Sequence, residues 1–255
     1  MKKIRFTLWV LCLATCLSAQ TTATDPLTKN DMKKKILFAV TSHDQLGITK
    51  ERTGFYLSEV AHPWKVLTDA GYDIDFVSPQ GGKAPVDGLD LEDPVNRLFW
   101  QNGAEQEKIQ NTLSPAEVNP SEYQVIFYAG GHGAMWDFPD NRGLADIARQ
   151  IYEAGGIVAA VCHGPAAWVN LTLSDGNYLI NGLQLTGFTN EEEEEIHRDQ
   201  IVPFLLETKL TERGAFFRKA GKWHTFVVND RRLITGQNPQ SATAVGEEIL
   251  SELRR

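Results

Sequence analysis

The chain has 255 residues, of which 42% are hydrophobic, and it carries a formal net charge of -8 at neutral pH. This length and composition suffice for the buried core of one α/β domain and do not require a second domain. The negative charge argues against nucleic acid as a partner, because binding phosphates requires a basic surface. The net negative charge is explained by its contribution to solubility.

The N-terminal residues have the pattern of a secretory signal peptide. Basic residues at positions 2, 3 and 5 precede an apolar run over residues 6–17, which is too short to span a bilayer comfortably. We predict a signal peptide over residues 1–19, a linker over 20–32 and one domain over 33–255. The protein would then be periplasmic or secreted, with no membrane span after cleavage. The residues before Cys16 loosely resemble a lipoprotein box, so a lipid anchor is a less favoured alternative.

Alternating apolar and amphipathic segments begin at residue 36. A buried strand is predicted over 36–41, a helix capped by Ser58 over 59–70, and a strand over 72–78, which together form a βαβ unit. Residues 79–120 are rich in Pro, Gly and Asp, with one helix expected over 104–112. Such an insertion more often shapes a site than builds a core.

The next strand, over residues 123–129, ends in two glycines. Gly130 and Gly131 precede His132, and glycines at the end of a strand allow backbone N–H groups to face a ligand, as an oxyanion site requires. A plain tight turn is the alternative interpretation. An amphipathic helix follows, with apolar residues at 144, 147, 148 and 151.

The strongest signal is a strand over residues 157–161 that ends at Cys162-His163-Gly164. A strand, a sharp turn and a helix would present Cys162 at the turn and would require small residues at Ala160 and Gly164. A helix N-terminus there would also favour a thiolate. Cys162 is therefore the candidate nucleophile, and it would be the sole thiol once the N-terminal segment is removed. The alternative is a buried cysteine that acts as a small hydrophobe.

The remaining elements complete an α/β pattern. A run of five glutamates over 191–195 is typical of a solvated helix start, a hairpin is expected over 223–235 around Asn229-Asp230, and a closing helix over 240–253. This alternation predicts a parallel sheet covered on both faces, with the ligand at the carboxyl ends of its strands. The sequence contains none of the common nucleotide or zinc motifs, so we predict neither a cofactor nor a metal ion.

Four motifs together resemble a known family. They are AAVCHGP at 159–165, AGGHG at 129–133, EVAHP at 59–63 and TGQNP at 235–239. They are similar to the PfpI-type branch of the class I glutamine amidotransferase-like superfamily, most closely its glutathione-independent glyoxalase III and heat-inducible chaperone members. The resemblance implies a flavodoxin-like three-layer sandwich and a homodimer.

The resemblance also assigns residues to a site. It implies that Cys162 is the nucleophile, that His163 is its partner, and that Glu193 is the acid, with a register uncertain within 191–195. Glu59 matches a family carboxylate beside the nucleophile. The backbone N–H groups of Gly131 and His163 match its oxyanion donors, with Gly130 and His132 lining the same pocket.

The activity that the resemblance implies is conversion of small 2-oxoaldehydes such as methylglyoxal to 2-hydroxy acids without glutathione. A holdase chaperone, a protein deglycase and a cysteine peptidase or amidase are the alternatives, because the same elbow serves all of them. Glutamine hydrolysis is disfavoured. The related glutaminases carry a late His-x-Glu, and the nearest approach in this chain is His197-Arg198-Asp199.

Overall fold

The structure, a computed structural model, describes Met1 and residues 35–255. The predicted signal peptide and linker therefore lie, apart from Met1, outside the described residues. The strands are β1 (Lys35–Ala39), β2 (Phe55–Tyr56), β3 (Asp73–Val77), β4 (Val86–Asp87), β5 (Tyr123–Tyr128), β6 (Ile157–Val161), β7 (Gln184–Leu185), β8 (Phe216–Phe217), β9 (Val227–Asp230) and β10 (Leu233–Gly236). The helices are α1 (Leu57–Asp69), α2 (Pro94–Gln101), α3 (Gly103–Gln110), α4 (Ala134–Asp137), α5 (Arg142–Glu153), α6 (Asn190–Glu195), α7 (Leu206–Glu212) and α8 (Ala242–Leu253).

Six of these strands form the central sheet, in the order β3-β1-β5-β6-β10-β9. The first five are parallel, and β9 pairs antiparallel with β10 at the edge. The predicted hairpin is confirmed, although its turn lies at Arg231 and Arg232 instead of Asn229-Asp230. Both arginines have positive φ, 52° and 68°, which is the geometry that a tight connection between twisted strands requires.

Helices cover both faces of this sheet. α1 and α8 pack together on one face, and α5 packs against β5 and β6 on the other. Every residue of β6 is buried, as expected of a central parallel strand covered on both sides. The predicted α/β class, with a mostly parallel sheet in a flavodoxin-like three-layer sandwich, is confirmed.

The start of α1 differs from the prediction. The helix begins at Leu57 after Tyr56, and Ser58 lies inside it instead of capping it. The physical reason is that β2 runs directly into the helix, and the N–H of Tyr56 donates to the carbonyl oxygen of Gly130 at 3.2 Å. The connection from β2 to α1 places Tyr56 and Glu59 next to the turn that follows β5.

The insertion over residues 79–120 contains more structure than predicted. The expected helix over 104–112 is confirmed as α3, and α2 precedes it. The carboxylate of Asp93 begins α2 by accepting from the N–H groups of Val95 and Asn96 at 2.8 and 2.9 Å, with Pro94 at the first helical position. The same insertion supplies β4, which pairs with β2.

Within the part of the chain that the structure describes, none of the helices has both the length and the apolar character that crossing a bilayer requires.

Candidate active site

Cys162 lies in a strained turn directly after β6. Its φ is 58°, a left-handed value that few residues other than glycine adopt, and a short 3-10 helix follows from Gly164 to Trp168. A Cβ atom on Gly164 would overlap the carbonyl oxygen of Tyr128 and lie 3.2 Å from Cβ of Ala160. The predicted elbow and its demand for small residues at positions 160 and 164 are therefore present in the structure.

The segment after the elbow is not the α-helix that the sequence suggested. Five residues of 3-10 helix, with Pro165 near their start, align few peptide dipoles. A strong helix N-terminus therefore does not face the Cys162 sulfur.

Three buried side chains form a hydrogen-bonded series behind this turn. Sγ of Cys162 lies 3.3 Å from Nδ1 of His163, and Nε2 of His163 lies 2.7 Å from Oε2 of Glu193. The exposed fractions of the three residues are 4%, 1% and 3%. The arrangement has the order of a nucleophile, a base and an acid that orients the base.

The five glutamates over 191–195 have different environments, although the sequence does not distinguish them. Glu193 reaches His163, whereas Glu191 pairs with Lys219. The carboxylate of Glu192 is fully buried and accepts from Thr189, Trp223, Gln237 and Asn238. The start of α6, which the sequence suggested is solvated, thus holds two buried carboxylates with separate sets of partners.

A second histidine binds the same acid. Nε2 of His132 lies 2.9 Å from Oε1 of Glu193, and Nδ1 of His132 lies 2.9 Å from Nη1 of Arg198. The ring centroids of His132 and His163 are 4.2 Å apart. The sequence placed His132 in the pocket lining, where it does lie, but gave no indication of its bond to Glu193 or of a role for Arg198.

Glu59 approaches Cys162 from α1 and is fully buried. Neither carboxyl oxygen has a hydrogen-bond partner at ordinary distance among the described residues. Burial raises the pKa of Glu59 to about 8, although Cys162 and the N–H of Gly130 act in the opposite direction. The group is therefore mostly protonated at neutral pH and able to donate a hydrogen bond.

The thiol of Cys162 is also held in its protonated form. Burial is the main cause that raises its pKa, and the neighbouring Glu59 contributes, while the N–H of Gly131 lowers it. The sequence-based expectation of a thiolate stabilised by a helix N-terminus therefore does not describe this site. A neighbouring base must remove the proton, and His163 has the required position.

The two glycines after β5 bring backbone close to the nucleophile. A Cβ atom on Gly130 would lie 2.7 Å from the carbonyl oxygen of Val161 and 2.8 Å from Cβ of Cys162. Gly131 has a φ of 92°, which glycine adopts without strain. This turn lies beside Cys162, where backbone N–H groups can act on charge that develops near the sulfur.

A cavity of about 270 Å³ opens over these groups. Its walls include residues that the sequence did not single out as site residues: Tyr56, Asp87, Phe188, Ile196, Arg198, Trp223 and Pro239. Phe188 packs against the ring of His163 with centroids 4.4 Å apart, and Trp223 packs on Phe188 at 5.6 Å. The cavity is thus lined by both aromatic side chains and titratable groups.

A larger cavity, of about 530 Å³, lies at the other end of the sheet. It is lined by residues at the starts of β5 and β6, such as Tyr123 and Ile157, and by Arg232. Because Cys162 follows the carboxyl end of β6, the larger cavity is remote from the nucleophile. We therefore assign the chemistry to the smaller cavity.

The geometry also brings together three groups that could hold a metal ion. Ligand atoms of His132, His163 and Glu193 lie within 4.8 Å of one another. Each Nε2 atom already bonds to Glu193, however, so a cation would have to displace both of these hydrogen bonds.

A model of the DJ-1/PfpI family matches residues 50–252 of the chain. The glutathione-independent glyoxalase HSP31 of Saccharomyces cerevisiae is 34% identical over 237 residues, which covers 87% of this chain and 98% of the yeast protein. The yeast protein is therefore similar to this chain along nearly the whole yeast sequence.

Solved structures give the same picture. The Rapid Encystment Protein of Francisella tularensis superposes with a TM-score of 0.84 at 40% identity, covering 87% of this chain and 99% of that protein. Glyoxalase III from Candida albicans superposes with a TM-score of 0.77 at 30% identity, covering 85% and 96%.

The prediction of an exported protein is wrong. The curated relatives that align with 80% or more of the chain include fungal glyoxalases of the cytosolic type. The basic and apolar residues that suggested export are a compositional pattern, which does not by itself fix where a chain resides. Apart from Met1, they lie outside the described residues.

Proposed function

The chain belongs to the DJ-1/PfpI family, and from this premise we propose that it is a glutathione-independent glyoxalase that converts small 2-oxoaldehydes such as methylglyoxal to 2-hydroxy acids. The observation that carries the proposal is the hydrogen-bonded series of Cys162, His163 and Glu193, of which Cys162 and His163 line a small cavity. The activity named for the yeast and Candida relatives supports the same reaction.

The first step is addition of the Cys162 sulfur to the aldehyde carbon. Nδ1 of His163, 3.3 Å from Sγ, takes the thiol proton as the carbon–sulfur bond forms. The aldehyde oxygen gains negative charge, which the backbone N–H groups after β5 and at the elbow can stabilise. The His163 imidazolium returns the proton to that oxygen, which gives a hemithioacetal and restores the neutral imidazole.

The second step moves hydrogen between the two substrate carbons. His163 removes the proton from the carbon bound to sulfur while the ketone oxygen gains a proton, giving an enediol. The neighbouring carbon then takes up a proton as the hydroxyl on the sulfur-bound carbon loses its own. The product is a lactoyl thioester. Water then cleaves the carbon–sulfur bond, releasing lactate and the thiol. The reaction is an internal redox rearrangement followed by hydrolysis, so it needs no external oxidant.

Glu193 and Glu59 have different tasks in this scheme. Glu193 is ionised, because its bonds to the two histidines hold its pKa well below the usual range in spite of burial. It orients His163 and stabilises the imidazolium. Glu59 is protonated below about pH 8 and can donate a hydrogen bond to sulfur or substrate.

The size of the cavity favours a small substrate over a peptide. Its volume of about 270 Å³ is below the roughly 300–1,000 Å³ of pockets that enclose drug-sized ligands. We therefore prefer the aldehyde reaction to cleavage of peptides by the same pair of side chains.

Lactate formation from methylglyoxal in glutathione-free buffer tests the proposal. We expect turnover by the wild-type protein and loss of at least about three orders of magnitude in kcat/KM for Cys162→Ala, as for removal of other nucleophiles. A protein with Cys12→Ala and Cys16→Ala is the matched control and keeps its rate. An inactive wild type, or an active Cys162→Ala protein, would refute the proposal.

The homodimer that the family resemblance implies is a separate proposal. Sedimentation equilibrium at micromolar concentration tests it directly: a mass of two chains supports the dimer, and a mass of one chain contradicts it.

A further inference from the structure

His132 has both ring nitrogens engaged in a nearly sealed environment. The residue is 7% exposed and lies in the turn between β5 and α4. One nitrogen faces Oε1 of Glu193 at 2.9 Å, and the other faces Nη1 of Arg198 at 2.9 Å. The proposed mechanism assigns no task of their own to His132 and Arg198.

The contact with Arg198 fixes where the proton of His132 resides. A guanidinium group has only donors and stays protonated in proteins, so Nδ1 of His132 must accept. The ring is then neutral and carries its hydrogen on Nε2, from which it donates to Glu193. Burial lowers the pKa of His132 to about 4, with His163 and Arg198 acting in the same direction, which agrees with a neutral ring.

The contact with His132 in turn fixes the orientation of the Glu193 carboxylate. Oε1 accepts from His132 while Oε2 faces Nε2 of His163 at 2.7 Å. Each oxygen has its own partner, so the carboxylate cannot rotate without losing a buried hydrogen bond. An ionised carboxylate only accepts, and Nε2 of His163 must therefore hold a hydrogen, which leaves the Nδ1 lone pair facing Cys162.

We infer that Arg198 and His132 are positioning residues, which act through Glu193 to select the one tautomer of His163 that can take the proton from Cys162. The catalytic meaning of this inference rests on the proposed function. The tautomer itself does not, because it follows from the hydrogen-bond series alone.

Arg198→Met is the decisive variant. It removes the guanidinium and keeps an unbranched aliphatic side chain at a position where the Arg198 side chain is 27% exposed. Arg149→Met is the matched control: that side chain is 28% exposed and makes ion pairs on α5. We expect Arg198→Met to lower kcat by about 10- to 100-fold, the range for outer groups that orient a site, with little change in KM. Arg149→Met leaves both constants unchanged.

Nuclear magnetic resonance of ¹⁵N-labelled histidine reads the tautomers without substrate. In the wild type, both His132 and His163 should show an acceptor Nδ1 and a protonated Nε2. In Arg198→Met, the signals of His132 should move toward an average of two tautomers, and the Nε2 proton of His163 should broaden.

Substitutions at position 132 test the link to Glu193. His132→Gln keeps an N–H near the position of Nε2 and should retain most of the rate, whereas His132→Leu removes the donor and should resemble Arg198→Met. If thermal unfolding shows that His132→Leu does not fold, the Arg198→Met variant alone tests the inference.

Two results overturn the inference. One is Arg198→Met with wild-type kcat and unchanged histidine signals. The other is a raised KM at constant kcat, because Arg198 would then act on substrate directly. If the wild type forms no lactate, the proposed function fails, and the ¹⁵N signals alone decide whether the tautomer assignment holds.

Discussion

The carboxyl group of Glu59 couples protonation at the site to the stability of the fold. Its pKa rises from an ordinary 4.5 to about 8 on folding because it is buried. Between these values the folded state binds a proton that the unfolded state releases, so stability falls as pH rises. The slope from this group alone approaches about 1.4 kcal/mol per pH unit.

Glu59→Gln should remove this pH dependence. We expect the free energy of unfolding in urea, measured from pH 5 to 9, to decline less steeply in the variant than in the wild type. Glu194→Gln, at an exposed position of the same chain, is the control and should follow the wild type. Equal slopes in wild type and Glu59→Gln would contradict a buried, protonated Glu59.

The same proton should limit activity at high pH. Above about pH 8, Glu59 ionises, stops donating and places a negative charge beside the Cys162 sulfur, which opposes the loss of the thiol proton. We expect kcat/KM of the wild type to fall above about pH 8. The kcat/KM of Glu59→Gln should stay constant over the same pH range. An identical alkaline decline in both proteins would show that another group controls it.

At the scale of elements, the elbow depends on the close approach of the 3-10 helix after Cys162 to the end of β5. A methyl group on Gly164 would overlap the carbonyl oxygen of Tyr128 at the end of β5. We predict that Gly164→Ala lowers the free energy of unfolding by about 1–3 kcal/mol, as overpacking does, and lowers kcat because the Cys162 turn shifts. Gly103→Ala is the control, since nothing lies within 4 Å of a Cβ there. Chemical denaturation should find Gly103→Ala unchanged or more stable, whereas equal effects of both substitutions would argue against a sterically required glycine.

The carboxylate of Glu192 connects α6 to the segment that carries Trp223. It accepts from the backbone N–H of Trp223 at 2.9 Å and from the side chains of Gln237 and Asn238 at 3.1 and 2.8 Å. Glu192→Gln turns an acceptor into a donor that faces donors. We expect a loss of about 2–3 kcal/mol in the free energy of unfolding, in the range for hydrogen bonds to charged groups. A loss no larger than that of Glu194→Gln would contradict this role.

At the scale of the whole molecule, the site forms where parallel strands end together. β5 contributes the Gly130-Gly131 turn and β6 contributes Cys162, and the two strands are neighbours in the sheet. Apolar runs and small residues at their ends carry this information locally, which is why the sequence predicted the strands, the elbow and their proximity.

Other parts of the site depend on contacts between distant residues. Arg198 contacts His132, which is 66 positions away in the chain, and no local pattern around either residue predicts this contact. Glu193 could be placed only by register, because its neighbours are identical in type and differ only in what they touch. The short 3-10 helix after Cys162 likewise follows from packing against β5, not from the composition of that segment.

The most direct test of the account is to trap the intermediate on Cys162. We predict that acid quenching during turnover of methylglyoxal leaves one substrate mass on the protein, mapped to Cys162 and released by hydroxylamine, as a thioester is. A hemithioacetal would be lost on quenching, and Cys162→Ala should carry no adduct. Steady lactate production by the wild type with no hydroxylamine-sensitive adduct on Cys162 at early times would contradict the covalent route.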